Sequence, residues 1–153
     1  MRISAKADYA VRALIEVARS EGGSSVTADE VAEAQEIPRG FLLAILADLR
    51  RADIVRSQRG KAGGWLLARP TTDITVADVI RAVDGPLASV HGLRPEAAVY
   101  NDIPATALQR VWIAVRHSLR EVLESVTLAD VARGQLPARV EKRSQDEDAW
   151  RSH

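Results

Sequence analysis

The sequence predicts a mainly α-helical fold that carries one small two-stranded hairpin, and two patterns lead to this expectation. Apolar residues recur at three- and four-residue spacing over much of the 153-residue chain, which is the period of helices buried on one side. The exception is the stretch 54–67, where two short apolar runs flank the basic, glycine-rich segment SQRGKAGG. A hydrophobic content of 46% is enough for a buried core, and the length fits one compact domain with an extension.

The first two helices are predicted from an apolar stripe and a capping signal. The first helix is expected to end at Gly22-Gly23. Its apolar stripe comprises Ile3, Ala7, Ala10, Val11, Leu14, Val17 and Ala18. Thr27 and Glu30 have the spacing of a capping box, in which each side chain bonds the backbone of the other residue. A short second helix should therefore begin there and run to about Ala34, with a turn at 35–36.

A third helix is expected from Pro38 to about Ala52, because proline suits a first helical turn. Its buried face should comprise Phe41, Leu42, Ile45, Leu46 and Leu49. The face turned away from the core should comprise Arg39, Gly40, Leu43, Ala44, Ala47 and Asp48. A short helix, a tight turn and a longer helix in this order predict a helix-turn-helix.

Two short strands should follow, Ile54-Val55 and residues 65–67, joined by SQRGKAGG. The glycines permit positive φ and close backbone approach, so the hairpin is interpreted as the wing of a winged helix-turn-helix. The rival interpretation, a nucleotide-binding loop, fails because no Ser or Thr follows Lys61 and the glycines lie between strands. A fourth helix should begin after Thr75 and end at Gly85-Pro86.

The longest predicted helix runs from Ala105 to about Val126 and needs a partner for its apolar stripe. We expect this stripe to form the interface of a homodimer. It comprises Leu108, Val111, Trp112, Val115, Leu119, Val122 and Leu123. A helix of about 30 Å extends beyond the small domain that precedes it. We therefore expect the same helix of a second copy, related by a two-fold axis, to cover its apolar stripe. The expected organisation is a DNA-binding domain over 1–86, a loop over 87–104, a dimerisation helix over 105–135 and a flexible tail over 136–153.

Positive charge is concentrated around the hairpin although the formal net charge of the chain is zero. Between residues 37 and 69, seven basic residues stand against two acidic ones, which gives a local net charge of plus five. A basic patch on a winged helix-turn-helix predicts binding to double-stranded DNA. The expected contact residues are Arg39, Gly40, Leu43, Ala44, Arg56, Arg59, Gly60 and Lys61.

The outward face of the third helix has few side chains that can hydrogen-bond a base edge. We expect Leu43 and Ala44 to contact thymine methyl groups and Arg39 to bind a guanine or a phosphate, with much of the specificity coming from the wing and DNA shape. Two alternatives stay open. Leu43 could pack into the core, and the basic hairpin residues could serve only solubility.

The loop over 87–104 is the candidate effector region, because it mixes polar and aromatic residues without a regular period. A polar pocket for a small molecule would use His91, Arg94, Glu96 and Tyr100, and the alternative is an ordinary surface loop. The three histidines lie in separate elements without ligand spacing, so no metal site is expected. No arrangement suggests catalysis, so the chain is not expected to be an enzyme.

At IPRGFLLAILADLRRADIVRSQRGKAGGWLLARP the chain resembles the Rrf-type family of bacterial winged-helix regulators, which includes the iron–sulfur cluster regulator and the nitric-oxide-sensing repressor. The resemblance begins at RISAKADYAVRAL and extends through VADVIRAVDGPL, about the first ninety residues. It implies a homodimer built on the long helix that binds an inverted repeat, with the third helix in the major groove and the wing in the minor groove. At the positions that match the family's motif, the resemblance implies that the DNA-contacting residues are Arg39, Gly40, Arg59, Gly60 and Lys61.

The chain departs from this family at three places. The family often has glycine where Asp53 stands and a polar residue near Leu43 or Ala44. Cluster-binding members place three cysteines in the loop where this chain has LASVHGLRPEAAVYNDIP, and the chain has no cysteine at all. We therefore expect no iron–sulfur cluster and no other cofactor. Asp8, which matches a cluster ligand of some members, is interpreted as an ordinary helix residue.

The combined expectation is a transcriptional regulator, a repressor, that acts as a homodimer on an inverted-repeat operator and responds to a non-thiol signal such as a small molecule. The charged N-terminus offers no signal-peptide core and no apolar run reaches membrane-spanning length, so a cytoplasmic location without membrane contact is expected. The alternative is a winged-helix protein-interaction module with weak or no DNA binding, because the second helix is acidic.

Overall fold

The structure is a computed structural model that describes residues 2–20, 24–61 and 63–151, and it confirms a mainly α-helical fold with a two-stranded antiparallel sheet. Single 3-10 turns lie at Thr71–Asp73, Pro95–Ala97 and Glu147–Trp150. The regular elements are α1 (Ala5–Arg19), α2 (Ala28–Gln35), α3 (Arg39–Arg51), β1 (Val55–Gln58), β2 (Gly64–Leu67), α4 (Val76–Asp84), α5 (Ile103–Leu123), α6 (Leu128–Arg133) and α7 (Ala138–Ser144).

Helix α1 lies at the centre of the head, the part of the molecule formed by α1 to α4, the hairpin and α6. It packs against α2, α3, α4, α6 and β2. Its buried residues are mostly alanines, which let neighbouring helices approach closely: Ala7, Ala10, Ala13, Leu14 and Val17. The prediction that Ile3 belongs to the buried stripe is wrong, since Ile3 is 81% exposed. The helix begins at Ala5, two residues after Ile3, and Ser4 caps it by accepting a 2.9 Å hydrogen bond from the backbone N–H of Ala7. Helix α1 ends at Arg19, and the predicted stop at Gly22-Gly23 lies outside the described residues.

The helix-turn-helix forms as predicted, with one correction. Thr27 and Glu30 make the reciprocal capping box of α2, and Glu36 ends α2 in the left-handed region at φ 53°. The core face of α3 consists of Leu42, Ile45, Leu46 and Leu49, each fully buried. Phe41, expected on that face, is 39% exposed, because it lies at the rim and packs edge-on against Tyr9 with ring centroids 5.8 Å apart.

The hairpin is longer than predicted because β1 continues through the polar residues Arg56, Ser57 and Gln58. These residues pair with β2 in the register Val55 to Leu67 through Gln58 to Gly64. The segment before α2 pairs with the other side of β2 at one position, where Val26 and Trp65 exchange backbone hydrogen bonds of 3.1 and 2.7 Å. A Cβ at Gly64 would lie 2.6 Å from the Val26 carbonyl oxygen, so glycine is required where the two backbones meet.

Helix α4 begins after Thr75 and ends at Gly85, as predicted, and α5 is the longest helix, with Asp102 as its N-cap. The chain after α5 returns to the head. The Val76 N–H donates to the Val126 carbonyl at 2.9 Å, and the Leu128 N–H donates to the Ile74 carbonyl at 2.8 Å. Leu128 is buried in the same cluster as α1 and α4. The end of α5 is thereby fixed to the segment between the wing and α4.

The segment 136–153 was expected to be a flexible tail, and within its described part Ala138–Ser144 form helix α7. Arg139 and Arg143 of α7 both pair with Glu121 of α5, at 2.7 and 3.3 Å. This helix was not predicted from the sequence because its contacts are with Glu121, 18 and 22 residues earlier in the chain, and local periodicity does not reveal contacts at that separation. No described helix is both long and apolar enough to cross a membrane.

Candidate nucleic-acid interface

The solvent-facing side of α3 begins with small and apolar residues. Gly40, Leu43 and Ala44 are exposed, and Leu43 keeps 36% of its surface accessible while the adjacent Leu42 is fully buried. The alternative in which Leu43 packs into the core is therefore wrong. A Cβ added at Gly40 would meet no described atom within 4 Å, so the start of α3 is sterically open.

Arg39 is exposed and already paired. Its guanidinium donates to the carboxylate of Asp29 in the first turn of α2, so an ion pair joins the two helices of the helix-turn-helix. The side chains are 61% and 70% exposed, and ion pairs with such exposure contribute little to stability. Arg39 can consequently exchange Asp29 for a phosphate or a guanine edge at small cost.

The hairpin carries three uncompensated cations. The side chains of Arg56, Arg59 and Lys61 are exposed, and none makes an ion pair or hydrogen bond with another described residue. Gly60 has a φ of 105°, and its carbonyl accepts a 2.9 Å hydrogen bond from the Gly63 N–H. A Cβ at Gly63 would lie 2.7 Å from the Gly60 carbonyl oxygen, so the tight loop that presents these cations requires glycine.

Asp48 does not contribute an open negative charge to this surface, although the sequence placed it on the outward face of α3. Its side chain is only 13% exposed, and Lys6 of α1 binds its carboxylate at 2.5 Å. The hydrogen bond from Lys6, followed by weaker attraction from Lys6 and Arg51, lowers the pKa of Asp48 below its usual value. Lys6 also donates to the Val83 carbonyl at 2.9 Å, so this ion pair connects α1, α3 and α4.

The four predicted effector residues do not converge on one site. His91 and Tyr100 line a cavity of about 430 Å³ between the loop and α5. Arg94 lines a separate cleft of about 240 Å³ with Arg81 and Arg116. Glu96 pairs with Arg116, and its own backbone N–H and then this guanidinium lower the pKa of Glu96. The sequence did not indicate Arg81 or Arg116, because they belong to other helices.

Helix α5 presents two apolar faces, and none of its residues is buried in the single chain. Leu108 and Trp112 line the cavity of about 430 Å³ beside the loop. A second, open groove of about 710 Å³ runs along α5 next to Ile3 and Arg143. The predicted dimerisation residues that line this groove are Val111, Val115, Leu119, Val122 and Leu123.

The residues present do not fit a cysteine-ligated iron–sulfur cluster. The chain has no cysteine to supply thiolate ligands. Within 2–20, 24–61 and 63–151, no group of three or more His, Asp or Glu side chains is placed to hold a metal ion.

A helix-turn-helix whose second helix is open at its start, followed by a hairpin with uncompensated cations, defines the winged-helix class of DNA-binding regulators. The model of the Rrf2 family, described as an iron-dependent transcriptional regulator, matches residues 3–134. The chain therefore belongs to the Rrf2 family, whose members are transcriptional regulators and not enzymes.

Individual relatives agree with this assignment. A putative HTH-type transcriptional regulator of Mycobacterium tuberculosis is 51% identical over 152 residues, which cover 99% of this chain and 94% of the relative. The solved structure of CymR (YrzC), the global cysteine regulator of B. subtilis, is similar with a TM-score of 0.72 at 30% identity, covering 88% of this chain and 98% of CymR. T. potens IscR is similar with a TM-score of 0.68 at 30% identity, covering 100% and 93%.

Proposed function

We propose that the protein is a repressor that binds an inverted repeat in duplex DNA as a homodimer, through α3 and the wing. The observation that carries the proposal is the set of three uncompensated cations on the wing beside the open start of α3. A DNA backbone supplies the phosphates that these cations lack. Two heads related by a two-fold axis bind half-sites of opposite orientation, so an inverted repeat follows from the dimer.

The proposed division of labour separates base contacts from backbone contacts. Leu43 and Ala44 would contact thymine methyl groups in the major groove, because they are exposed and carry no hydrogen-bonding atoms in their side chains. Gly40 would allow close approach of α3, and Arg39 would bind a guanine or a phosphate after leaving Asp29. On the wing, Gly60 would let the loop lie against the backbone, where Arg56, Arg59 and Lys61 bind phosphates or the minor groove.

The open groove on α5 is the proposed dimerisation surface. Its large aliphatic side chains are partly or largely exposed in the single chain, with Val111 50% accessible. An exposed apolar surface of this kind is favourable to cover, and a second copy of α5 offers the same residues in a self-complementary arrangement.

A matched pair of α5 variants tests the dimer. Val111→Glu places a charge in the groove, whereas Ile113→Glu places the same charge about 200° around the helix, outside the groove. Both residues are exposed, at 50% and 41%, so neither change disturbs the core. Analytical ultracentrifugation should give a monomer for Val111→Glu and a dimer for Ile113→Glu. A monomeric wild type, or equal behaviour of both variants, would contradict this interface.

Selection of bound sequences from random duplex DNA tests the proposed function directly. The expected product is an inverted repeat with two equivalent half-sites. In the same selection, Leu43→Ala should relax the preference at a thymine position, and an unchanged preference would contradict the methyl contact. A protein that binds no DNA even at low salt would favour the alternative, a protein-interaction module.

The proposed regulator works without an iron–sulfur cluster and responds to a signal that does not depend on thiols. The loop between α4 and α5 is the proposed effector region, because it separates the DNA-binding head from the proposed dimerisation helix. Anaerobically purified protein should have no visible absorption band and no stoichiometric iron. A band with matching iron content would overturn the proposal that the protein functions without a cluster.

A further inference from the structure

The cavity between α5 and the loop after α4 has the size and composition of a small-molecule site. Its volume of about 430 Å³ lies within the range of roughly 300 to 1,000 Å³ that such sites occupy. Most of its wall is apolar and includes Val90, Pro95, Leu108 and Val115. Among the described residues, no lysine, arginine, aspartate or glutamate lines it, so the cavity favours an uncharged occupant.

Several polar groups in this cavity have no partner. Trp112, Tyr100, His91 and Ser89 line it, and their side chains make no hydrogen bond with any other described residue. Ser89, His91 and Trp112 are exposed and Tyr100 is half-buried, so water hydrates these groups, and a ligand that entered the cavity could replace that water with its own polar atoms. Three of the four are aromatic, and aromatic rings favour contact with another planar ring.

His91 has an unusual backbone conformation at this cavity. Val90 and Leu93 exchange hydrogen bonds of 2.8 and 3.0 Å, and the two residues between them have positive φ values, 50° at His91 and 79° at Gly92. Two-residue turns of this kind favour Asn or Gly at both central positions. His91 lines the cavity from a turn position that asparagine or glycine adopts more readily, so the turn does not by itself account for a histidine there.

We propose that this cavity binds an uncharged planar aromatic or heteroaromatic molecule, which would contact Trp112 and Tyr100 with its ring and hydrogen-bond His91 and Ser89 with its polar edge. The inference deepens the effector role of the proposed function and rests on it for any effect on DNA binding. A ligand bound in the cavity would contact both the loop and α5, since the lining residues come from both. Trp112, predicted from the sequence as a dimerisation residue, would instead contact the ligand.

Ligand-observed NMR and isothermal titration calorimetry on the full chain test this site with indole, adenine and benzoate as probes. Indole or adenine should bind, and benzoate should bind more weakly because no cation lines the cavity. Trp112→Leu should weaken binding of both rings by up to about tenfold, while Trp150→Leu, at an exposed tryptophan elsewhere, should not. His91→Gly removes the imidazole and suits the positive φ of the turn, so the melting temperature should hold while adenine binds about fivefold more weakly.

The opposite results are equally clear. Absence of indole and adenine binding up to their solubility limits, or binding that is unchanged in Trp112→Leu and His91→Gly, would overturn the inference. If the wild type takes up no probe and Trp112→Leu dissociates the dimer, the occupant is a second copy of the chain. A protein that selects an operator but binds no probe contradicts the cavity site alone. Probe binding without DNA binding supports the site and contradicts the proposed function.

Discussion

Removal of one wing cation gives a quantitative test of the DNA-binding surface. Arg59→Ala deletes a charge that no described residue compensates, and a homodimer loses two such charges. Each phosphate contact contributes about 0.9 to the slope of log affinity against log salt on duplex DNA, so the slope should become shallower by about 1.8. Relative to 1 M salt, this corresponds to an affinity loss of about 30-fold at 0.15 M and about 200-fold at 0.05 M.

The assay is fluorescence anisotropy of a labelled selected operator, titrated over a series of salt concentrations. Lys142→Ala is the matched control, because Lys142 is an exposed cation on α7 and its loss changes the net charge equally. The control should keep the wild-type slope. Equal slopes for wild type and Arg59→Ala would refute the phosphate contact even if the affinity fell, since a loss independent of salt indicates a different cause.

Three further predictions concern the stability of the fold and are measured by unfolding. Glu36→Gly should raise the free energy of unfolding by about 0.5 kcal/mol in urea titrations, because Glu36 has a left-handed φ of 53° at the end of α2. Gly64→Ala should lower it by about 2 kcal/mol or more, since the added Cβ would lie 2.6 Å from the Val26 carbonyl oxygen, whereas Gly40→Ala, with open space around it, should not lower it. Hydrogen bonds from Arg120 and Arg81 lower the pKa of Glu124 to about 2, so this carboxylate stabilises the fold above pH 4.5 and the stabilisation is lost as the pH falls towards 2. Melting temperatures measured from pH 5 to 2 should therefore fall less steeply for Glu124→Gln, and an unchanged slope would contradict the pairing.

Local signals in the sequence predicted the helix-turn-helix well because its boundaries depend on neighbouring residues. The capping box of Thr27 and Glu30 requires only a three-residue spacing, and the glycines of the wing indicate a turn without reference to the rest of the chain. The extent of β1 was not predictable in the same way. Arg56 to Gln58 are polar, and they become a strand only because β2 lies opposite them.

The candidate sites show the same division between local and long-range information. The loop residues His91 and Tyr100 were recognisable as candidates, but their association with Trp112 depends on how the loop packs on α5. Periodicity placed Trp112 in one apolar stripe with Val111, although the two residues line different cavities. Asp53 is a further case, because its φ of 56° lies in the left-handed region that favours glycine, and one sequence alone does not reveal a backbone angle.

The two ends of α5 are attached in different ways. Its C-terminal end is fixed to the head by the paired backbone hydrogen bonds around Val126 and Leu128, whereas near its N-terminal end Gln109 donates to the carbonyls of Pro95 and Ala98 in the loop, at 3.0 and 2.8 Å. Helix α5 is thus about 30 Å long and is held to the DNA-binding domain at its C-terminal end. In the proposed homodimer, a small shift of the loop would change the angle at which the two α5 helices cross. The distance between the two DNA-binding domains of the proposed dimer would change with that angle, and with it the length of spacer between half-sites that the dimer fits.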